Sequence, residues 1–359
     1  MSHSRENHFM DRSCHRAIVL FFVAGMFFAA ATVRAQSAPG DRIILPLELV
    51  AGRPATLGVL TPNGRVEADA KILLSNGDTL ITDESGRAHF LAPAKSGILY
   101  AHVQGTEISA ASDVRPGEGA ADLQVKAVPR LTRMEGQLRI RGSSFEGDAD
   151  RNQVRLGRER AFVLAASPVE LVILPPPVSK PGAARLDLEA DAQIISTQVT
   201  LIQVEATPQN ILPEKKMKIA IHVFGTEESV RLELHNISPE IVAFAHGNNI
   251  GLRTSGGRDN TAKIQAKGLR TGEFSFSIRL APEFQTEGIP VACDFLDAAM
   301  KMTPAAEKNL FENVLRKLKK QKPNVSAVRR ELQRLTPVGH SRDSAALIFA
   351  AQEALFAME

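Results

Sequence analysis

Between Asp41 and Pro282 apolar side chains return at every second position in short runs, and Gly, Pro or Asn separates the runs. A period of two places alternate side chains on opposite faces of a strand, so each run predicts a strand with one buried face. From Asp41 to Val114 the runs are IILPLELV, ATLGVL, ADAKILL, GDTLIT, GRAHFLAP and GILYAHVQG. Pro62-Asn63-Gly64, Asn76-Gly77 and Ser85-Gly86 mark turns, because Asn and Gly tolerate positive φ. Strands this short at this spacing predict an all-β sandwich.

Ser112 to Ala121 reads as a Gly/Pro/Ala-rich linker. A second β segment follows from Asp122 to Glu205. In it Leu138 and Ile140 alternate with arginines, Gly142 breaks the run, and Asn152, Val154 and Leu156 resume the period of two. A third covers Ala206 to Pro282 with KIAIHVFG, SVRLELHN, EIVAFA, NIGLRT, AKIQAKG and EFSFSIRL. Phe274, Phe276 and Ile278 are expected on one side of its last strand, with Ser275, Ser277 and Arg279 on the other.

At about Ile289 the period changes. Leu310, Phe311, Val314, Leu315 and Leu318 form the stripe of an amphipathic helix, with Thr303-Pro304 as its start signal and Pro323 as its stop. Val325, Val328, Leu332 and Leu335 predict a second helix, closed by Pro337 and Gly339. Leu347, Ile348, Ala351, Leu355 and Met358 predict a third, capped by Asp343 or Ser344. With one more over Cys293–Met300, four short helices would form a small bundle or a cap on the last sandwich.

Two of the β segments carry family signatures. Gly142-x-x-Phe145-x-Gly147 followed by Asn152-x-Val154-x-Leu156-Gly157 resembles the IPT/TIG family of immunoglobulin-like sandwiches, and the match spans nearly all of residues 122–205. Thr82-Asp83-x-x-Gly86-x-Ala88-x-Phe90 is similar to a hairpin of bacterial Ig-like and carboxypeptidase-regulatory-like modules, over part of residues 41–114. The expected architecture is therefore mainly β: tandem immunoglobulin-like β-sandwiches at 41–114, 122–205 and 206–282, then a C-terminal α-helical region at 289–359.

The first 35 residues read as a signal peptide. A partly basic start with Arg5, Arg12 and Arg16 precedes an apolar run from Ala17 to Val33, and Val33-x-Ala35 supplies a cleavage pattern. An uncleaved anchor is the alternative. The run is shorter than the ~20 residues a comfortable membrane span needs. Cys14 precedes the run, so only Cys293 would remain after cleavage, and no internal disulfide could form. The chain has no Trp and one Tyr, Tyr100. Sugar-binding sandwiches usually stack such rings against sugars, which demotes glycan binding.

Candidate chemistry is sparse. Asp148-x-Asp150-x-Asn152 with Glu159 has the oxygen spacing of a calcium loop, but Gln153 stands where the sharp turn needs Gly, so an acidic surface turn is the favoured reading. His89, His102, His222, His235, His246 and His340 form no H-x-H or H-E-x-x-H pair. Neither a G-x-S-x-G elbow nor a phosphate loop is present. No catalytic, cofactor-binding or metal residue is therefore assigned. His246-Gly247-Asn248-Asn249 and Thr254 to Asn260 are polar loops suited to binding or to plain turns.

Charge adds one feature. Lys301 to Asp343 holds eleven Lys/Arg against four Asp/Glu, while the whole chain holds 43 against 40. Arg316, Lys317, Lys319, Lys320, Lys322, Arg329, Arg330 and Arg334 would decorate two helices that could meet an anionic surface. Nucleic acid suits the charge but not an exported chain. The expectation is a non-catalytic, exported binding or scaffolding protein of the bacterial envelope, in periplasm, surface or medium. Its partner would be an envelope or extracellular protein, with no cofactor, nucleic acid or small-molecule substrate. The alternatives are an accessory polysaccharide-binding protein and an enzyme of unrecognised type.

Overall fold

Turn residues and alternation are both realised in the computed structural model, which describes residues 43–117, 122–177, 179–207, 210–281, 283–305, 307–335 and 341–357. The expected signal peptide, residues 118–121 of the expected linker, and Pro282, Pro337, Gly339, His340 and Met358 lie outside the described residues. The fold is mainly β, with a small C-terminal helical region. No helix among the described residues is long and apolar enough to cross a membrane.

In the first sandwich one layer runs in the order Glu48–Val50, Ser109–Arg115, Gly97–Val103, Lys71–Leu74, Thr79–Ile81. Strands Pro54–Val59 and Arg87–Leu91 face it, and Leu49, Leu57, Ile72 and Leu99 fill the space between. Ser112 to Arg115 are strand rather than linker. The Gly, Pro and Ala that suggested a linker begin only at Pro116, after the strand has ended. Arg115 binds Asp113 at 2.7 Å, Glu48 at 3.3 Å and Asp294 of the first C-terminal helix at 2.9 Å.

The signature residues of the second sandwich each have a steric or hydrogen-bonding task. A Cβ on Gly142 would lie 1.9 Å from Gln124 O and 2.3 Å from the ring of Phe145, which is itself buried. A Cβ on Gly147 would lie 1.8 Å from Pro54 O in the first sandwich. Buried Asn152 closes the intervening loop: its Oδ1 accepts from Glu146 N, and its Nδ2 donates to Glu146 O and Asp148 O. Val154 and Leu156 enter the core. The first two sandwiches share a sheet, because Phe162–Ser167 pairs with Pro54–Val59 as well as with Glu170–Leu174.

The 15-residue strand Gln193–Thr207 joins the second and third sandwiches. Its first part pairs with Gly182–Ala190 and its last residues with Lys216–Phe224. The third sandwich sets that layer, continued by Thr261–Gly268 and Val242–Phe244, against a three-stranded sheet in the order Asn249–Arg253, Arg231–Asn236, Phe276–Leu280. Leu232, Leu234, Phe244, Phe274, Phe276 and Ile278 fill the core, so the alternation read for the last strand holds.

Four helices follow: α1 (Ile289–Met302), α2 (Lys308–Leu318), α3 (Val325–Arg334) and α4 (Arg342–Leu355). Thr303 ends α1 instead of starting α2: its Oγ1 donates to Ala299 O. Ser341, rather than Asp343 or Ser344, caps α4 by accepting from Ser344 N. The helices do not cap only the last sandwich. Their core of Phe295, Phe311, Val314, Leu347 and Ile348 continues into Leu47 and Ala111 of the first, with Ile98 and Tyr100 packed alongside. The second face of that sheet mixes Ile98, Tyr100 and Ala111 with His102, Asp113 and Arg115, and α1 and α4 cover it by packing and by ion pairs.

A buried ion network ties these parts together. Arg139 donates to Glu170 at 2.9 Å and to Glu353 of α4 at 3.1 Å, while Glu170 accepts from Leu47 N at 2.6 Å. Glu170 is 1 % exposed. Removing one partner of such a network leaves a desolvated charge, so Glu170→Ala is expected to cost about 3–5 kcal/mol. Replacing Glu170 and Arg139 together by apolar residues of similar size should cost less, and urea unfolding of the two variants checks the difference.

His102, under α4, gives a pH prediction. Its Nε2 is 3.3 Å from Asp343 Oδ1, and its buried Nδ1 has no partner among the described residues. Burial holds the imidazole below its ordinary value, against the opposing pull of Asp343. A depressed histidine stabilises the fold fully above the ordinary value, about pH 6.5, and loses that contribution as pH falls toward the folded value. Tm of the wild type should therefore drop more than that of His102→Gln as pH is lowered below about 6.5.

Candidate binding site

On the three-stranded sheet of the third sandwich, the residues that do not enter the core form an outer face. Alternation puts Arg231, Glu233 and His235 there from the middle strand, with Asn249, Gly251 and Arg253 on one side and Ser277 and Arg279 on the other. The register sets Glu233 between Gly251 and Arg279, and His235 between Asn249 and Ser277. His235 Nδ1–H donates to Asn249 Oδ1 at 2.6 Å.

Helix α3 reaches this face. Arg329 forms an ion pair with Glu233, and its guanidinium carbon sits 5.8 Å from the centroid of the Phe356 ring. Phe356 in turn packs edge-on against Phe284 at 5.6 Å. Arg329 and the adjoining middle strand separate two hollows. One, of about 400 Å³, is lined by Leu131, Thr132, Arg231, Phe284, Arg329 and Phe356 among others. The other, of about 890 Å³, opens beside His235, Asn249, Gly251, Ser277, Arg279 and Gln333. Pro62 and Asn63 of the first sandwich complete its wall. The larger hollow offers amides, a hydroxyl, an imidazole and charges of both signs, an array for hydrogen bonding.

Of the two polar loops, His246 to Asn249 contributes to this groove through Asn248 and Asn249. The Thr254 to Asn260 loop spends its groups on itself: Asn260 accepts from Gly256 N and donates to Thr226 O and Glu228 O. Arg231, Glu233 and Arg279 were passed over in the sequence. Their period-two spacing was visible, but which strands become neighbours was not.

The acidic turn takes a different course from a calcium loop. Asp148 Oδ1 accepts from Asp150 N, Asp150 binds Arg87 at 2.8 Å, and Glu159 lies in a strand pair with Leu156. Folding does bring His89 to this turn. His89, Asp148 and Asp150 each offer an atom within 4.8 Å of the others. The cation in contact with the cluster is the Arg87 guanidinium, held in turn by Ser85 Oγ and Val163 O. The other described histidines stand apart: His102 under α4, His222 stacked on Phe224, and His246 in its loop. On the basic helices, Lys317 and Arg334 both bind Glu331, whereas Lys319, Lys320, Lys322 and Arg330 are exposed.

No protein-family description matches the chain, and no curated protein matches its sequence. Solved structures similar to it include an SGBP-B from the mixed-linkage glucan utilization locus of Bacteroides ovatus, in complex with a mixed-linkage heptasaccharide. It is 12 % identical, with 69 % of this chain and 76 % of that chain covered and a TM-score of 0.27. An SGBP-B from a complex xyloglucan utilization locus of Bacteroides uniformis is 8 % identical over 66 % of this chain and 96 % of that chain, with a TM-score of 0.24. Extracellular domains 3–5 of Drosophila OTK are 10 % identical over 66 % of this chain and the whole of that chain, with a TM-score of 0.19. At these scores the superpositions bear on neither the site nor the function.

Proposed function

We propose that this chain is a non-catalytic binding or scaffolding protein, exported by its N-terminal 35 residues, that holds an envelope or extracellular protein in the groove on its third sandwich. The second sandwich is of IPT/TIG type and the first of bacterial Ig-like type in this reading. The groove carries the proposal. Asn248, Asn249, His235, Ser277 and Arg279 project hydrogen-bonding groups into about 890 Å³ of space from a sheet backed by a packed core. A rigid sheet presenting fixed polar groups suits recognition, because little side-chain and loop freedom remains to be lost on binding.

A polysaccharide is the poorer fit. Its rings favour flat aromatic faces, and the single tyrosine is committed elsewhere: Tyr100 stacks on His102 and donates its hydroxyl to Met302 Sδ in α1. The partner is instead expected to be a polypeptide. A photo-reactive amino acid at Asn249 should cross-link discrete proteins in an envelope fraction, and the same group at Asn76, on an exposed turn of the first sandwich, should not. Identical products from both positions, or none from Asn249, would remove the groove as the contact surface.

A further inference from the structure

The three-stranded sheet has two edges, and among the described residues only one of them is covered. In an antiparallel ladder each residue's N–H and C=O point the same way, to one neighbour or the other, and the direction alternates along the strand. Asn236 N donates to Asn248 O and Thr254 N donates to Val230 O. Even-numbered residues of Asn249–Arg253 therefore face the middle strand, and the backbone groups of Asn249, Gly251 and Arg253 face outward. The same reasoning on the far side starts from Ala281 N donating to Arg231 O and Ile237 N donating to Ser275 O. It turns Phe276, Ile278 and Leu280 outward there. That edge is covered: Arg133, nearly buried, donates to Ile278 O at 2.7 Å.

The edge at Asn249–Arg253 has no such cover among the described residues. Asn249, Gly251 and Arg253 are exposed, and a Cβ built on Gly251 would meet nothing within 4 Å. The larger hollow runs beside Asn248 to Gly251. Charge says what would fit. Arg231 and Arg253 lie directly opposite one another on the outer face, an unfavourable pairing of like charges. Arg253 donates to the neutral Ser229 hydroxyl, and Arg231 has no ion pair among the described residues.

We propose that strand Asn249–Arg253 is a docking edge to which an extended acidic segment of a partner protein adds as a fourth strand. Its backbone pairs with Asn249, Gly251 and Arg253, and an acidic side chain stands beside Arg253 on the side away from Arg231, offsetting the like charge the two arginines share. This rests on the groove reading above and specifies how the groove holds its partner. Strand addition takes affinity from main-chain hydrogen bonds and selectivity from alternate side chains. Unpaired edges are usually blunted by charge, Pro or a bulge; the charge on this edge is Arg253, which an acidic partner strand would neutralise.

The test uses the full chain and a fluorescent ten-residue peptide of alternating Val and Thr with one central Asp. Saturable binding is expected, with the amides of Asn249, Gly251 and Arg253 exchanging more slowly when the peptide is bound. Gly251→Pro removes one outward N–H and no ladder bond, a substitution edge strands tolerate. It should bind about five- to tenfold more weakly, the loss expected for one hydrogen bond and a crowded backbone. A peptide with Lys for Asp should bind about two- to fivefold more weakly, and Arg253→Glu should invert that preference. Unchanged exchange at the three amides on saturation, or full affinity in Gly251→Pro, overturns strand addition while cross-linking from Asn249 keeps the groove. Failure of both peptide binding and cross-linking removes the groove as well. A dimer of the chain that Gly251→Pro abolishes overturns the proposal by assigning the edge to a second copy. If Gly251→Pro does not fold, the exchange measurement on wild type decides.

Discussion

Arg139 is the interaction on which the relative placement of the parts depends. It lies on a strand of the second sandwich and binds Glu170 beside it and Glu353 on α4, while Glu170 accepts from Leu47 N in the first sandwich. Three segments distant in sequence thus share one charge cluster almost out of water. Such a cluster adds little net stability over an apolar core, but any arrangement that breaks it strands a charge. Its effect is on geometry: it penalises every other docking of helices and sandwiches.

Steric complementarity reinforces the same junctions. Gly288 admits no Cβ, because one would lie 1.7 Å from Ala354 O, and Gly147 is excluded in the same way by Pro54 O. The backbone approaches itself closely where the parts meet, and paired strands run from one sandwich into the next. The groove inherits this order. Its walls come from the third sandwich, α3 and a loop of the first sandwich, so its width follows from contacts far from its lining.

Much of this was legible along the chain. Alternation located the strands, and Asn-Gly and Ser-Gly located the turns. The Gly142, Phe145, Gly147, Asn152 signature marked a loop whose packing it indeed controls. The apolar stripes of α2, α3 and α4 were read correctly at most of their described positions, Val325 being exposed, while Thr303 closes α1 instead of opening α2 and Ser341 caps α4 in place of Asp343 or Ser344. An error arose where Gly, Pro and Ala were taken to mark a linker from its first residue. Asp113 and Arg115 were assigned to a linker and turned out to be strand, because each satisfies the other and Asp294 joins them.

What the sequence determined is local: which residues form strands or helices, and which face of each is apolar. Those properties follow from periodicity, propensity and turn sterics within a few residues. Tertiary structure alone decided that the first two sandwiches share a sheet, that the helices cover the first sandwich, and that Arg231 faces Arg253. It also left the backbone of Asn249, Gly251 and Arg253 without a partner among the described residues, while Arg133 closed the opposite edge. Register and docking depend on contacts between residues up to hundreds of positions apart, and alternation along a single strand carries no record of its neighbour.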